Sequence, residues 1–240
     1  MDLARAMQPL AYLLAPVLIH QGKGLRRRIP RLPEATDPAG IAAGRSPGVR
    51  LAVLGDSTAA GVGAMRHQDA LAGMLAAAVA VQGGREVSWR AVARGGATSR
   101  TARDLVPGLV VGDWRPDVVV VLVGVNDLKN LRPLRDWDHD VAALLAAIGE
   151  RTGGVPVIVS GMAPVSRFPA LPQPMRAVLA LRARAMDHTL RRAAGAGHVP
   201  VNPQMIGSGF FAEEGFHPSS QGYRAWASEL AGPVARALAP

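Results

Sequence analysis

Four short clusters in this chain carry side chains that can do chemistry. Gly55-Asp56-Ser57 closes an apolar run beginning at Leu51, and so sets a hydroxyl directly after a glycine and an acid. Glu214-Gly215-Phe216-His217-Pro218 supplies a carboxylate and an imidazole three residues apart. Between them lie Gly95-Gly96-Ala97-Thr98 and Gly124-Val125-Asn126-Asp127. A serine hydroxyl is a weak nucleophile until a base takes its proton, so Ser57 needs an imidazole such as that of His217. An attacked acyl carbonyl gathers negative charge on its oxygen, which calls for donors aimed at it in advance. The backbone N–H groups of Ser57 and Gly96 and the amide of Asn126 are candidates for that oxyanion hole. Glu214 would orient the imidazole and offset its charge, with Glu213 an adjacent competitor.

Each cluster also has a plainer reading. Serine caps helices well, so Ser57 could mark only a strand-to-helix turn. Asn126 with Asp127, and Gly95 with Gly96, are ordinary turn residues, and His217 could be a capping residue. Asp56 and Asp127 read as scaffolding at strand ends. What tips the balance is that all four clusters occur together, the first three of them where an apolar run stops.

Those runs are Val49–Leu54, Val87–Ala93, Val118–Val123, Val155–Ser160 and the short Val199–Val201. Most are apolar at every position, as strands buried on both faces of a parallel sheet must be. Helical spacing separates them: Leu71, Met74, Leu75, Ala78 and Val79; then Val141, Leu144, Leu145 and Ile148; then an Ala-, Leu- and Arg-rich stretch from about Pro174 to Ala194. A last helix is expected from Pro218, carrying Tyr223, Trp226 and Leu230. Alternating β and α elements predict an α/β fold, a doubly wound parallel sheet of about five strands flanked by helices. Ligands of such sheets bind beyond the carboxyl ends of the strands, where the first three clusters lie.

A chain of 240 residues suits one core, and 19% charged residues fit a globular protein. With no cysteine there is neither a disulfide framework nor a thiolate nucleophile. The net charge of +9 invites a nucleic-acid reading, but only Lys23 and Lys129 are lysines among 27 basic residues, and the arginines are scattered. Four Phe, two Tyr and four Trp leave no aromatic-interleaved basic patch for stacking bases, so no nucleic-acid partner is expected. The histidines outside the fourth cluster lack metal-ligand spacing, and Gly61-Val62-Gly63 lacks the rest of a phosphate loop. No Gly-x-Ser-x-Gly elbow is present.

Residues 1–47 read as an N-terminal extension and linker, and 48–240 as the catalytic domain. Leu10–Ile19 is apolar but about half the ~20 residues a membrane span needs. The cluster Arg26-Arg27-Arg28 follows the apolar stretch, the reverse of a secretory signal. Two alternatives stand for residues 1–31: a helix lying on an anionic membrane surface, or an arm packed on the domain. Localisation is accordingly expected to be cytoplasmic or peripheral at a membrane.

The four clusters, in this order, resemble the nucleophile, glycine, asparagine and histidine blocks of the SGNH subfamily of GDSL-type esterases, over about residues 49–240. The resemblance implies a flavodoxin-like fold, hydrolysis of acyl esters without a cofactor, catalytic roles for Ser57 and His217, and oxyanion roles for Gly96 and Asn126. Where the family has Asp three residues before the histidine, this chain has Glu214. Within the resemblance, a sugar deacetylase or a lysophospholipase is as open as a simple esterase. A non-catalytic membrane- or protein-binding module on the same fold is the rival class, which intact Ser57 and His217 disfavour.

Overall fold

A computed structural model describes residues 15–30 and 32–239. Its centre is a six-stranded sheet of β1 (Ala39–Ala42), β2 (Arg45–Gly55), β3 (Arg85–Ala93), β4 (Val118–Leu122), β5 (Val157–Ser160) and β6 (His198–Val199), in the order β1-β3-β2-β4-β5-β6. β2 to β6 run parallel. β4 is Val-Val-Val-Val-Leu, buried at every position, as a strand covered on both faces requires.

The expected count of about five parallel strands gains one. β1 pairs antiparallel with β3, Ala39 opposite Arg90 and Ala42 opposite Val87, so the sheet is mixed. Its residues were expected in a linker, and Gly40 within the strand and Pro38 before it are residue types common in one. Both types suit a short edge strand. Pro38 stands just before it, and Gly40 lets the Trp89 ring lie where a Cβ would come within 2.6 Å of Cζ2. Arg45, also in that stretch, opens β2.

Seven α-helices accompany the sheet: α1 (Ala15–Arg28), α2 (Leu71–Gly83), α3 (Ser99–Ala102), α4 (Val125–Lys129), α5 (Leu134–Thr152), α6 (Met175–Ala194) and α7 (Ser220–Ala237) among the described residues. α2 packs against α7 and β3, while α5 packs against α3 and α6. α2 is buried along Leu71, Leu75 and Val79 and ends at Gly84, whose φ of 62° makes a left-handed cap. α7 begins at Ser220, not at Pro218. The Ser219 hydroxyl accepts from the Gly222 N–H at 3.2 Å and is the N-cap, and Pro218 precedes it.

Two buried polar tips on α7 tie it to the catalytic end of the sheet. The Tyr223 hydroxyl donates to the Val62 carbonyl at 2.7 Å, and Trp226 Nε1 donates to Ser160 Oγ at 3.1 Å. Each satisfies a group that burial would otherwise leave unpaired at a cost of about 1–3 kcal/mol.

Residues 1–14, with half of the apolar run, lie outside the described residues. Of the arm's described residues, 15–28 form α1. Leu18, Leu25 and Ile29 pack on the core, the Gln21 amide donates to the Gln173 carbonyl at 2.6 Å, and its oxygen accepts from the Met175 N–H at 3.2 Å. No helix among the described residues is long and apolar enough to cross a membrane.

Candidate active site

β2 delivers Ser57 through a close backbone crossing. A Cβ at Gly55 would sit 2.1 Å from the Leu122 carbonyl oxygen, so only glycine lets β2 end beside β4 in this way. The loop beyond is bonded to itself, Ala60 N–H to Asp56 O at 2.8 Å and Val62 N–H to Ser57 O at 3.0 Å. Glycine is needed again at 63, where φ is 100° and a Cβ would come within 2.3 Å of the Pro218 carbonyl oxygen. That approach seats the loop carrying Ser57 against the segment carrying the histidine.

His217 Nε2 lies 3.2 Å from Ser57 Oγ, and its Nδ1 lies 2.6 Å from Glu214 Oε1. Nδ1 carrying the proton toward the carboxylate leaves Nε2 free to accept from the serine. Glu214 also accepts from the backbone N–H groups of Phe216 and of His217, the latter at 2.9 Å. Its side chain is 2% exposed, whereas Glu213 is exposed, so of the two carboxylates Glu214 is the one that meets the imidazole. The extra methylene is absorbed by curling back over its own turn. Burial pushes the Glu214 pKa up, but the bonds from His217 and Phe216 outweigh it and hold the group below its ordinary value.

The glycine cluster forms a turn closed by Ala97 N–H to Arg94 O at 3.1 Å, with Gly96 at φ 81°. A positive φ at the third position, with none at Gly95, is the pattern of a type II turn. Asn126 is buried and donates through Nδ2 to the Ala97 carbonyl at 2.9 Å, which brings the second and third clusters together. Asp127 locks the same junction: its carboxylate accepts from the Ser99 N–H and the Ser99 hydroxyl, each at 2.9 Å. Asp56 accepts from the Thr58 N–H at 3.0 Å. Both aspartates thus serve as scaffolding.

Burial raises Asp56 from 3.8 to about 6, against the opposing pull of the Thr58 N–H, Lys129 and His217. Between those values the folded chain binds more protons than the unfolded chain, so stability falls as pH rises through that window. Asp56→Asn keeps an acceptor for Thr58 and removes the titration. Its stability relative to wild type should therefore rise between pH 4 and pH 7, by at most about 3 kcal/mol. Denaturant unfolding at both pH values measures this, and a pH-independent difference would count against a buried, titrating Asp56.

Of the apolar cleft beside Ser57 and His217, sequence reasoning offers only the segment Met162–Met175, whose composition suggests an apolar loop lining an acyl site. All four phenylalanines of the chain, Phe168, Phe210, Phe211 and Phe216, line the cleft with Ile206 and Trp226. Phe168 meets Phe211 and Phe216 edge-on at 5.2 and 5.1 Å. The signal was present: three of only four phenylalanines fall within seven residues that run up to the histidine. From the 162–175 segment, expected to line an acyl site, Ala163, Pro164 and Phe168 do so. Among the described residues no cluster of three or more His, Asp or Glu is arranged to hold a metal.

A GDSL-like lipase/acylhydrolase family model matches residues 53–225. A GDSL-like esterase of Mycobacterium tuberculosis is 29% identical over 188 residues, which cover 73% of this chain, and the chain spans 58% of that relative's length. Among solved structures, a lipase from a goat rumen metagenome superposes with a TM-score of 0.61 at 16% identity, over 77% of this chain and 97% of the other. A lipase/acylhydrolase from Enterococcus faecalis gives 0.60 at 20%, over 78% and 96%. A family 3 carbohydrate esterase of Clostridium thermocellum gives 0.58 at 18%, over 80% and 100%. At these identities the structural likenesses establish the fold. The family match runs from within β2 to within α7 and takes in all four clusters, and the chain belongs to the GDSL-like lipase/acylhydrolase family.

Proposed function

We propose that this protein is a serine esterase acting on small or medium acyl esters through an acyl-enzyme on Ser57. The observation that carries the reading is the relay from Glu214 through His217 to Ser57, at 2.6 and 3.2 Å. Ser57 Oγ attacks the ester carbonyl carbon while His217 Nε2 takes its proton. Negative charge on the carbonyl oxygen is met by the N–H groups of Ser57 and Gly96 and by the Asn126 amide. His217 then protonates the leaving alkoxide. A water gives its proton to His217 and attacks the acyl-enzyme carbonyl; on collapse His217 returns that proton to Ser57 Oγ, and the acid leaves. The phenylalanine-lined cleft takes the acyl chain, and no step calls on a cofactor.

A fluorophosphonate probe should label the wild-type chain at Ser57 and nowhere else, and chromogenic esters of graded length should reveal the acyl preference. A chain that hydrolyses no ester and takes no label would be the non-catalytic module. Asn126→Ala should lower kcat by roughly 10²–10³ with little change in KM, because an oxyanion donor acts mainly in the transition state. A raised KM at constant kcat would make Asn126 a substrate-holding residue instead.

A second, additional reading gives α1 a peripheral membrane contact. Val17 and Ile19 are 44% and 59% exposed on the helix that also exposes Lys23 and Arg27. Replacing both apolar residues by Glu should lower co-sedimentation with anionic vesicles and leave hydrolysis of a soluble ester unchanged. Sedimentation equal to wild type would remove this role.

A further inference from the structure

The segment before β1 reaches into the catalytic end of the sheet through one side chain. Glu34 Oε1 accepts a hydrogen bond from the Gly95 N–H at 2.5 Å. Gly95 enters the turn whose next residue, Gly96, faces the task of binding the oxyanion. The approach is close enough that a Cβ on Gly95 would lie 2.8 Å from that oxygen.

Glu34 is itself held by its neighbours. Ala35 N–H donates to Ala60 O at 3.0 Å and Thr36 N–H to Met65 O at 3.0 Å, while His67 N–H donates to Thr36 O at 2.9 Å. Farther on, Ala91 N–H donates to Pro38 O at 2.7 Å. Residues 35 and 36 are thus bonded to the loop that follows Ser57, residue 38 to β3, and Glu34 to the turn that follows β3. The segment bridges the nucleophile loop and the oxyanion turn.

The turn has reason to need such a bridge. Two consecutive glycines lack the Cβ atoms that would favour one conformation. The peptide between Gly95 and Gly96 can turn over from the type II to the type I arrangement, which differ chiefly in the direction of that peptide. Turning over would point the Gly96 N–H away from its present side. Asn126 anchors the far end of the turn through the Ala97 carbonyl at 2.9 Å. Glu34 anchors the near end through the Arg94–Gly95 peptide, so the turn that carries the Gly96 N–H is held at its entry as well as beyond its exit.

We propose that Glu34 is a positioning residue for ester hydrolysis, holding the Gly95-Gly96 turn so that the Gly96 N–H is aimed before the substrate arrives. The role rests on the serine esterase reading. It requires an acceptor at position 34 and not a charge, since a carboxylate near a developing oxyanion gives no electrostatic help of its own.

The test compares E34A, E34Q and E34D in the full chain, with melting temperature, kcat and KM on a soluble ester, and the affinity of a trifluoromethyl ketone that forms a tetrahedral adduct with serine. E34A should lower kcat about 10-fold, less than the ~10²–10³ of a deleted donor, with KM nearly unchanged. The ketone should weaken by the same factor, which a merely destabilising change in a still-folded enzyme would not produce. E34Q should recover most of the loss through its amide oxygen. E34D, too short to reach, should resemble E34A and replaces it if E34A does not fold. A wild-type kcat in the alanine and aspartate variants, an unweakened ketone, or a glutamine variant as poor as alanine would overturn the assignment. Ser57→Ala judges the esterase reading separately, since a dead Ser57→Ala beside a wild-type E34A would remove the role of Glu34 alone.

Discussion

Ser57→Ala should lower kcat for ester hydrolysis by roughly 10⁴–10⁶ while leaving the fold intact. The substitution removes one oxygen from a half-buried position whose side-chain partner among the described residues is His217 Nε2 at 3.2 Å. The loop around it is held by backbone bonds and by the Tyr223 hydroxyl, none of which involves Oγ. Melting temperature should therefore stay near wild type. His217→Ala should be about as severe, and the double variant little worse than either, because a nucleophile without its base and a base without its nucleophile are equally idle. Turnover within about tenfold of wild type in Ser57→Ala would mean that another group attacks. Losses that multiply in the double variant would mean the two residues work in separate steps.

This expectation was legible in the sequence because strand ends in a doubly wound sheet are brought together by topology alone. Ser57, Gly96 and Asn126 each follow a run of β-forming residues, and β3, β2 and β4, which end at them, are neighbours in the sheet. His217 was harder, since no strand leads into it. It is delivered by the loop before α7, and its adjacent Pro218 suggested a helix start two residues too early. The edge strand was not legible. Four residues, Ala-Gly-Ile-Ala, flanked by Pro and Gly, carry too little apolar pattern to stand out from a linker. For the same reason nothing local marks Glu34: its partner lies 61 residues away, and a lone exposed glutamate after a proline looks like any other. The aromatic cleft was foreshadowed by composition alone. Phenylalanines are so few here that their convergence is informative, but Phe168 joins Phe216 only once the loop after β5 folds over the site.

Glu214→Gln should lower kcat by up to about 10⁴, the scale seen when an orienting carboxylate in a serine triad becomes an amide. Two effects act together. An amide carries no charge to offset the imidazolium formed during attack, and its NH₂ can turn toward Nδ1, favouring the tautomer that leaves the proton on Nε2. That proton would then face Ser57, where an acceptor is needed. The fold should survive, because the glutamine oxygen can still accept from the Phe216 or His217 backbone N–H that Glu214 now serves. Acid stability supplies an independent reading. A carboxylate held below its ordinary value of 4.5 contributes stability that is present above the unfolded value and lost as pH falls through the lower folded one. Glu214→Gln should therefore flatten the acid limb of the stability curve. Glu214→Asp keeps the charge and gives the residue type usual in the family, yet it should not restore full activity. Oε1 now stands 2.6 Å from Nδ1 with the side chain folded back on its own turn, and one methylene fewer leaves the carboxylate short in a backbone set for glutamate. An aspartate variant as active as wild type would show that the loop moves to meet the acid. A crippled Glu213→Gln beside a silent Glu214→Gln would transfer the role to the neighbouring residue. If both were silent, Ser57 and His217 would work as a dyad, with the imidazole held by packing against Phe216, whose ring lies 5.2 Å away.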